Sequence, residues 1–458
     1  MTAPLPAPPP ADGWRTFLWL WSSQALSVLG SAVAGFAFTI YLTQTRFPLA
    51  EHKPQLAAAL SLTALAWTLT ATLSAPLAGT WTDRHDRRRI MLACDVLGAA
   101  LTVALLLLLL RTDTPLWTLV LTSGLMGSVS TFHGSAFDAS YTSLVPRERL
   151  PRANGLMQTI WSLSGLVGPA AAALLIGVPA LLRGHAGPAW PGTGWIAGLR
   201  DGVPFAYGVD ALSFLLAALV LSRLRVPPPE QPAGGGGARS FREDMAFGWR
   251  FIGTRRPLLA LLLTFAVANL CGSGLGVLEP LLVKFSLAGD WQARGSSFQA
   301  ALATVSVVQS VGGVLGGAVI SAWGGLRRVR VLGVLIPMVI AGLALSALGL
   351  STTVLAASAA LFVMGLTLPA MNAHSQSIWQ SQVPGHMQGR VFSVRRLIAQ
   401  FTSPASAALA GILAARYAPG VVMVAAGLLY AGVAALQLLN PTLRPLGDSA
   451  APHAAHTG

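Results

Sequence analysis

Long apolar runs, interrupted by short clusters of Arg, Pro and Gly, alternate along most of the chain. A membrane-spanning helix needs about 20 mostly apolar residues. Eleven stretches have few or no Asp, Glu, Lys or Arg residues, and they are 16–45, 54–82, 90–110, 114–137, 153–182, 202–222, 257–283, 295–326, 331–389, 397–415 and 417–443. The stretch 331–389 is too long for one crossing, and Ser351-Thr352-Thr353 indicates a turn within it. The pattern therefore predicts twelve helices, and we expect the helix that holds the short run 397–415 to begin near Arg390.

Composition agrees with a membrane protein. Of 458 residues, 53% are hydrophobic and only 10% are charged, with a mean hydropathy of +0.63. Soluble globular proteins carry about 25% charged residues. This supply of charge is too small for a water-exposed surface. The two cysteines, Cys94 and Cys271, lie in apolar runs, so we interpret them as core residues and exclude a disulfide-stapled secreted fold.

The basic residues predict the orientation. With the N-terminus inside, the predicted cytoplasmic segments hold 22 of the 30 Lys and Arg residues, and the outer segments hold 8. We therefore expect both termini to be cytoplasmic, in the plasma (inner) membrane. The net charge of +14 then belongs to cytoplasmic loops and not to a nucleic-acid site, so we expect no nucleic-acid partner. Residues 1–13 are rich in Pro and Ala, and we interpret them as a disordered tail and not a signal peptide.

The chain divides into two similar halves. Residues 226–256 hold Pro227-Pro228-Pro229 and four consecutive glycines, 234–237, which is the composition of a flexible cytoplasmic linker. A shift of 238 positions aligns Met126-Gly127 with Met364-Gly365 and Val145-Pro146 with Val383-Pro384. These matches predict a duplicated unit with parallel halves, an N-terminal six-helix bundle over 14–225 and a C-terminal one over 257–441. Residues 442–458 are then a C-terminal tail.

A loop motif lies between the second and third predicted helices. Residues 79–89 read Gly79-Thr-Trp-Thr-Asp83-Arg84-His85-Asp86-Arg87-Arg88-Arg89. This resembles the G-x-x-x-D-R-x-G-R-R loop of the major facilitator superfamily, with Asp86 where that family usually has Gly. The resemblance implies an all-α fold of twelve transmembrane helices in two parallel six-helix pseudo-repeats, and a gating role for the set Gly79, Asp83, Arg84, Arg87 and Arg88. From the residues alone, Gly79 permits close helix approach and Asp83 can pair with an Arg. The alternative interpretation is a basic loop that only sets the membrane orientation and has no gating role.

Other segments resemble the superfamily branch of enterobactin exporters and macrolide efflux proteins. They include the stretch from Leu18 to Gly30, Ser143–Pro146 with Asn154-Gly155, Asp210–Phe214, and Gly389-Arg390 with Phe392-Ser393. In the fifth predicted helix, the segment with Gly165, Gly168 and Pro169 is similar to the family's antiporter motif G-x-x-x-G-P-x-x-G-G: Gly168 and Pro169 match, whereas Ser164 and two alanines replace the other glycines. The resemblance implies export, whereas an ordinary kinked helix is the alternative for this segment.

Three acids lie inside apolar stretches and a fourth, Asp138, directly follows one; charge inside a membrane is costly. Asp95 and Asp138 lie near the predicted inner face, so pairs with the Arg-rich loops are an alternative to a transport role. Asp210 lies deep in its stretch, thirteen residues before Arg223, and Glu279 lies toward the outer side, five residues before Lys284. Burial disfavours the charged form of a carboxyl group, so all four are candidates for proton or cation coupling, and Glu279 and Asp210 are the preferred ones. Pairing of Glu279 with Lys284, and a structural hydrogen bond at Asp210, are the alternatives.

Neutral polar residues at membrane depth are candidates for lining a cavity, and they are Gln24, His133, Asn269, Gln309, Asn372 and His374. Hydrogen bonds between helices are an equally simple role for each of them.

The sequence thus predicts a secondary transporter that exports drugs, macrolide-like compounds or siderophores in exchange for protons by alternating access. Importers of small nutrients, lipid flippases and, less favoured, a membrane enzyme or sensor are the alternatives. No P-loop, H-E-x-x-H or G-x-S-x-G motif occurs, so we expect no catalytic residue, no metal and no cofactor. The expected partners are a small-molecule substrate, protons and the bilayer, with the chain acting as a monomer.

Overall fold

The computed structural model describes residues 12–111, 113–184, 194–226, 241–326, 328–384 and 387–446. Every regular element in these ranges is helical. Most of the predicted N-terminal tail (residues 1–11), the Pro- and Gly-rich part of the predicted linker (227–240) and most of the C-terminal tail (447–458) lie outside the described residues.

Twelve long helices occur in the described ranges. The first six are α1 (Gly13–Ile40), α2 (Lys53–Arg84), α3 (Arg87–Leu109), α4 (Leu116–Leu144), α5 (Leu150–Gly184) and α6 (Val203–Arg223). The others are α7 (Arg256–Gly272), α8 (Phe298–Trp323), α9 (Leu332–Leu350), α10 (Val354–Gln382), α11 (Gln388–Arg416) and α12 (Pro419–Leu438). Short helices, Phe241–Gly253, Leu275–Leu281 and Ala288–Ala293 among them, lie between these elements.

Eleven helical segments within the described ranges are long and apolar enough to cross a membrane, and α4 is not one of them. With 29 residues, α4 is about 44 Å long at 1.5 Å per residue, which is sufficient for a crossing. Ser, Thr, His and Asp residues along α4 lower its hydropathy. The described residues thus contain eleven candidate membrane-spanning segments, and the count of twelve stays a prediction.

The predicted turn inside 331–389 is confirmed. Helix α9 ends at Leu350 and α10 begins at Val354. The side chain of Thr353 accepts a hydrogen bond from the backbone N–H of Ala356 at 3.2 Å, so Thr353 caps the new helix. The predicted start near Arg390 is also confirmed, because α11 begins at Gln388.

Helix boundaries repeat with the predicted period. A shift of 238 residues carries Leu116–Leu144 onto Val354–Gln382, and Leu150 onto Gln388. Both α4 and α10 end at a valine with extended backbone angles, Val145 (φ −93°, ψ 125°) and Val383 (φ −109°, ψ 118°). Each valine precedes a proline, which disfavours the helical conformation for the residue before it. The duplicated Val-Pro pairs therefore fix the same helix end in both copies.

The chain forms two compact units, and the first comprises residues 1–48 and 66–233. Within it, α1 packs on α5 and α6, and α3 packs on α4 and α6. Close approach depends on small residues: a Cβ at Gly30 would overlap Ser213, and a Cβ at Gly168 would lie 2.7 Å from the Cβ of Ala32.

The second unit comprises residues 49–65 and 234–458, so it includes the first part of α2. There Ser61 Oγ donates to the carbonyl of Ala407 at 2.8 Å. The pairs α8–α10 and α9–α12 make the most extensive contacts of this unit. Because 49–65 belongs to it, the predicted bundle limits of 14–225 and 257–441 stay a prediction.

Asp290 connects the loop after α7 to the start of α10. Its carboxylate accepts hydrogen bonds from the backbone N–H of Val354 at 2.9 Å and from Arg294 Nε at 3.0 Å. These two donors, the backbone N–H first, lower the pKa of Asp290 below its ordinary value. The carboxylate therefore stays ionised and holds the N-terminus of α10.

Two adjacent glycines of α8 give a test of this packing. A Cβ at Gly316 would overlap the backbone of Leu366 on α10, whereas a Cβ at Gly317 would meet no heavy atom within 4 Å. We expect Gly316→Ala to lower the free energy of unfolding by about 1–3 kcal/mol, because a backbone cannot move aside as a side chain can. The measurement is thermal unfolding of the purified chain in detergent.

Gly317→Ala is the matched control, with the same chemical change one residue away. It should leave the melting temperature unchanged or raise it slightly, since alanine favours a helix over glycine. Equal melting temperatures for the two variants would contradict the close α8–α10 contact.

Asp86 caps α3. Its side chain accepts a hydrogen bond from the backbone N–H of Arg89 at 3.2 Å, and its other oxygen lies 3.5 Å from Arg89 Nε. Aspartate at an N-cap satisfies a helix N–H that has no partner in the helix. This explains how the chain tolerates Asp at a position where the resembling motif has Gly.

Replacing Asp86 should follow the N-cap scale. We expect Asp86→Ala to destabilise by about 1 kcal/mol and Asp86→Gly by only a few tenths, because glycine is also a favourable N-cap residue. Thermal unfolding of both variants measures the difference. If glycine destabilised more than alanine, the capping role would be wrong.

Candidate functional site

Asp210 of α6 connects three helices of the first unit. Its Oδ1 accepts a hydrogen bond from Ser31 Oγ of α1 at 2.9 Å, and its Oδ2 accepts one from Thr102 Oγ1 of α3 at 2.9 Å. The residue is almost completely buried. Both carboxylate oxygens are thus satisfied by neutral hydroxyl groups.

A cavity of about 570 Å³ lies within the first unit, beside Asp210. This volume is in the range of small-molecule sites, about 300–1,000 Å³. Its walls are mainly apolar and include large side chains, namely Phe38, Trp67, Met126, Trp161, Tyr207 and Phe214. The titratable residues around it are Cys94, Asp95, His133, Tyr207 and Asp210. The cavity therefore combines aromatic walls with an excess of acidic groups.

Asp95 and His133 meet in this cavity wall. Asp95 Oδ1 of α3 lies 3.3 Å from His133 Nε2 of α4, and Asp95 is 0% exposed. The contact lacks the alignment of a hydrogen bond, and neither Asp95 oxygen nor His133 Nε2 has another hydrogen-bond partner among the described residues. Protonation of His133 turns the contact into an ion pair. The carboxylate and the ring therefore lie within ion-pair distance of each other in the cavity wall.

Two other predicted residues of the first unit lie differently. Gln24 is 3% exposed, lines the cavity, and its Nε2 has no hydrogen-bond partner in the described part of the chain. Asp138 is exposed on α4 and is not among the residues that line the cavity.

Glu279 belongs to the second unit. Its Oε1 accepts a hydrogen bond from Ser306 Oγ of α8 at 2.8 Å. It lies in the short helix Leu275–Leu281 that follows α7. Across the described residues, no group of three His, Cys, Asp or Glu side chains is arranged to hold a metal ion.

Asn269 of α7 and Asn372 of α10 come together at a smaller cavity of about 140 Å³ in the second unit. Arg395 and Trp379 also line it. Gln309 is half-buried on α8, where its carbonyl lies against Gly365, and it is not among the residues that line this cavity.

His374 lies against the connection between α8 and α9. Its Nε2 accepts a hydrogen bond from the backbone N–H of Leu326 at 2.7 Å, so the proton of the neutral ring is on Nδ1, which donates to the carbonyl of Ala370 at 2.7 Å. Gly325, with φ of 72°, and Gly333 leave the space that the ring occupies. Both ring nitrogens are thus used for structure, and the ring also lines a cavity of about 420 Å³ together with Arg330 and Ser377.

The loop 79–89 is held by two of its arginines. Arg87 Nη1 donates to the carbonyl of Ala139 at 3.0 Å, and Arg88 donates to the carbonyls of Leu221 and Ser222 at the end of α6. Cations at a helix C-terminus satisfy carbonyls that have no partner in the helix. These contacts fasten the start of α3 to α4 and α6.

The remaining residues of the motif make fewer contacts. Asp83 and Arg84 are exposed, and Asp83 has no ion pair or hydrogen bond through its side chain within the described residues. A Cβ at Gly79 would meet no heavy atom within 4 Å. The expectation that Gly79 permits close helix approach is therefore wrong for this structure.

In the fifth helix, Gly168 makes the close contact to α1, and α5 continues through Pro169 to Gly184. Gly165 is half-buried one turn before this contact. The small residues of the antiporter-like segment thus pack α5 on α1.

Sequence reasoning missed several residues of these sites. Ser31 and Thr102 are hydroxyl residues inside long apolar runs, with no spacing that connects them to Asp210. The basic-residue pattern places Arg395 in a cytoplasmic segment, whereas it lies seven residues inside α11. The early helix start near Arg390 was the available signal, because it places Arg395 within a helix.

Comparisons with known proteins agree with this architecture. Residues 20–407 match the family model of the Major Facilitator Superfamily. Macrolide efflux protein A of Streptococcus pyogenes is 25% identical over 408 residues, which cover 88% of this chain and 91% of that protein. The predicted resemblance to the macrolide efflux branch is thus confirmed.

Two solved structures show the same fold. A bacterial homologue of the human lysosomal transporter Spinster, in an inward-facing and occupied conformation, has a TM-score of 0.66 at 17% identity, covering 93% of this chain and 96% of that one. A mutant of the peptide transporter POT, in complex with alafosfalin, has a TM-score of 0.68 at 13% identity, with coverages of 94% and 95%. The all-helical structure and the family match over most of the length lead to one conclusion: this chain belongs to the Major Facilitator Superfamily and is a multi-pass secondary transporter.

Proposed function

We propose that the chain exports an amphipathic drug or macrolide-like molecule in exchange for protons, and that Asp95 and His133 bind the exchanged proton. The contact of these two side chains in the wall of the larger cavity carries the proposal. The similarity to macrolide efflux protein A supports the direction and the class of substrate.

Charge explains the exchange. Without a bound proton, the Asp95–His133 pair carries one negative charge among apolar walls. A proton neutralises this charge, and so does the cationic group of a substrate. Because an uncompensated charge inside a membrane protein is costly, proton and cationic substrate compete for the same place. We assign Asp210 a structural role instead, since each of its oxygens accepts a hydrogen bond from a hydroxyl group of a neighbouring helix.

The cavity walls suit a large apolar partner. Trp67, Trp161 and Phe38 offer flat apolar surfaces without a fixed pattern of hydrogen bonds. Such walls bind molecules by shape and burial, which favours a drug-like substrate over a small polar nutrient. The proposal assigns no catalytic step, cofactor or metal to the chain.

The proposal includes a location. We place the chain in the plasma membrane as a monomer with both termini in the cytoplasm, because most basic residues fall in segments that this orientation makes cytoplasmic. Proton exchange in that membrane can use the proton gradient.

Accumulation of a dye, a macrolide and a siderophore in a pump-deficient bacterial host tests the coupling site. We expect the chain to lower the accumulation of at least one compound, and a protonophore to abolish this. Asp95→Asn and His133→Gln should each reduce export about tenfold or more, the effect of losing a contact to a charged group. Asp138→Asn is the control, since it removes an acid of α4 that does not line the cavity.

Three outcomes contradict parts of the proposal. Export that survives both Asp95→Asn and His133→Gln would overturn the coupling site. Loss of export only with Glu279→Gln would move coupling to the second unit, where Ser306 can still donate to the amide oxygen. No change for any compound, with the protein present in the membrane, would favour nutrient uptake or lipid flipping.

The gating role of the loop 79–89 has its own test. Asp83 has no side-chain partner among the described residues in this conformation. Asp83→Asn should therefore change the free energy of unfolding by less than about 0.5 kcal/mol and leave the melting temperature nearly unchanged. If Asp83 pairs in the opposite conformation, the same variant should reduce transport. Wild-type transport by Asp83→Asn would instead favour the purely topogenic loop.

A further inference from the structure

Arg395 is a half-buried charged residue of α11 that the proposed export mechanism does not use. It lies seven residues after the start of α11, about 10 Å inside the helix at 1.5 Å per residue. Asn269, on the other side of the small cavity, lies thirteen residues after the start of α7, about 20 Å inside. A charge that is partly buried between helices is costly unless it is paired.

The contacts of Arg395 leave its charge uncompensated. Its Nη1 donates to Gln376 Oε1 at 2.8 Å and its Nη2 donates to Ser375 Oγ at 3.1 Å. Both acceptors are neutral, and the ion pairs of the described residues do not include Arg395. A guanidinium has five N–H donors, so three remain after these two bonds. Arg395 is thus a half-buried cation with three N–H groups that have no acceptor among the described residues.

Trp379 gives an independent indication. The guanidinium of Arg395 lies over its ring, with Cζ 5.3 Å from the ring centre. Trp379 is 0% exposed, and its indole N–H has no hydrogen-bond partner among the described residues. An unpaired buried donor is costly unless a ligand accepts from it. This side chain lines the same cavity as Arg395, Asn269 and Asn372.

From these groups we propose that the small cavity of the second unit binds an oxyanion, a carboxylate or phosphate group, through Arg395 with support from Asn269 and Asn372. The planar guanidinium matches the two oxygens of such a group. A volume of about 140 Å³ admits a small anionic group and not a whole drug. The occupant is an anionic part of the transported molecule, which rests on the proposed function, or the phosphate of a lipid headgroup.

Binding to the full-length chain in nanodiscs tests this site. The probes are benzoate and inorganic phosphate, added to nanodiscs of phosphatidylcholine, and thermal unfolding reports binding. We expect both probes to raise the melting temperature of the wild type in a saturable manner. Arg395→Gln should lose this shift, or weaken apparent affinity at least about tenfold, as loss of a charge-assisted contact predicts.

Matched variants separate the site from general charge effects. Arg396→Gln removes the neighbouring exposed arginine and should bind like the wild type. Arg395→Lys keeps the charge without the planar fork and should bind more weakly than the wild type. If Arg395→Gln does not fold, Asn372→Leu decides, because it changes the cavity and leaves the arginine contacts in place.

The source of the oxyanion follows from a second set of nanodiscs. Stabilisation by phosphatidylglycerol, lost in Arg395→Gln while benzoate and phosphate have no effect, identifies a lipid headgroup. Equal responses of wild type and Arg395→Gln to every probe and lipid would overturn the site and leave Arg395 as a contact for Ser375 and Gln376.

Anion binding without drug export would contradict the proposed function alone, and export without anion binding would contradict this site alone.

Discussion

Two hydrogen bonds to Asp210 hold the first unit together around its cavity. Inside a bilayer no water satisfies a buried carboxylate, so its partners must come from the protein. Ser31 and Thr102 provide one bond to each oxygen, and they come from α1 and α3 while Asp210 belongs to α6. Gly30, next to Ser31, allows the backbone of α1 to approach α6 closely enough for these bonds. The position of Asp95 on α3 relative to the cavity then depends on this arrangement.

The two proposed sites differ in the sign of the charge that they present. The site in the first unit is negative, at Asp95 beside His133. The site in the second unit is positive, at Arg395 beside a neutral amide and a hydroxyl. The duplication preserved helix ends, whereas the residues around the cavities diverged: 238 residues after Asp95 and His133 stand Gly333 and Met371. The two copies thus share helix boundaries and differ in the polar side chains between them.

Sequence reasoning predicted the frame well because helix ends are set locally. The turn at Ser351–Thr353, the Val-Pro stops and the start of α11 all depend on neighbouring residues, and the structure contains each of them. The sites were less predictable, because they depend on which side of a helix meets which neighbour. Gly79 matched a motif but leaves open space beside it, and Arg395 resembled a loop charge although it lies inside a helix. Apolar runs in membrane helices carry little periodicity, so they contain weak information about side-chain direction.

His374 has a consequence for how this sequence can vary. Its ring fills the space that side chains at Gly325 and Gly333 would need, and it binds the backbone at Leu326. A larger residue at either glycine is excluded while the histidine stays, and loss of the histidine opens a void and leaves a backbone N–H unpaired. These three positions therefore constrain one another sterically, and we expect relatives that lack the histidine to fill the space through compensating changes at the two glycines.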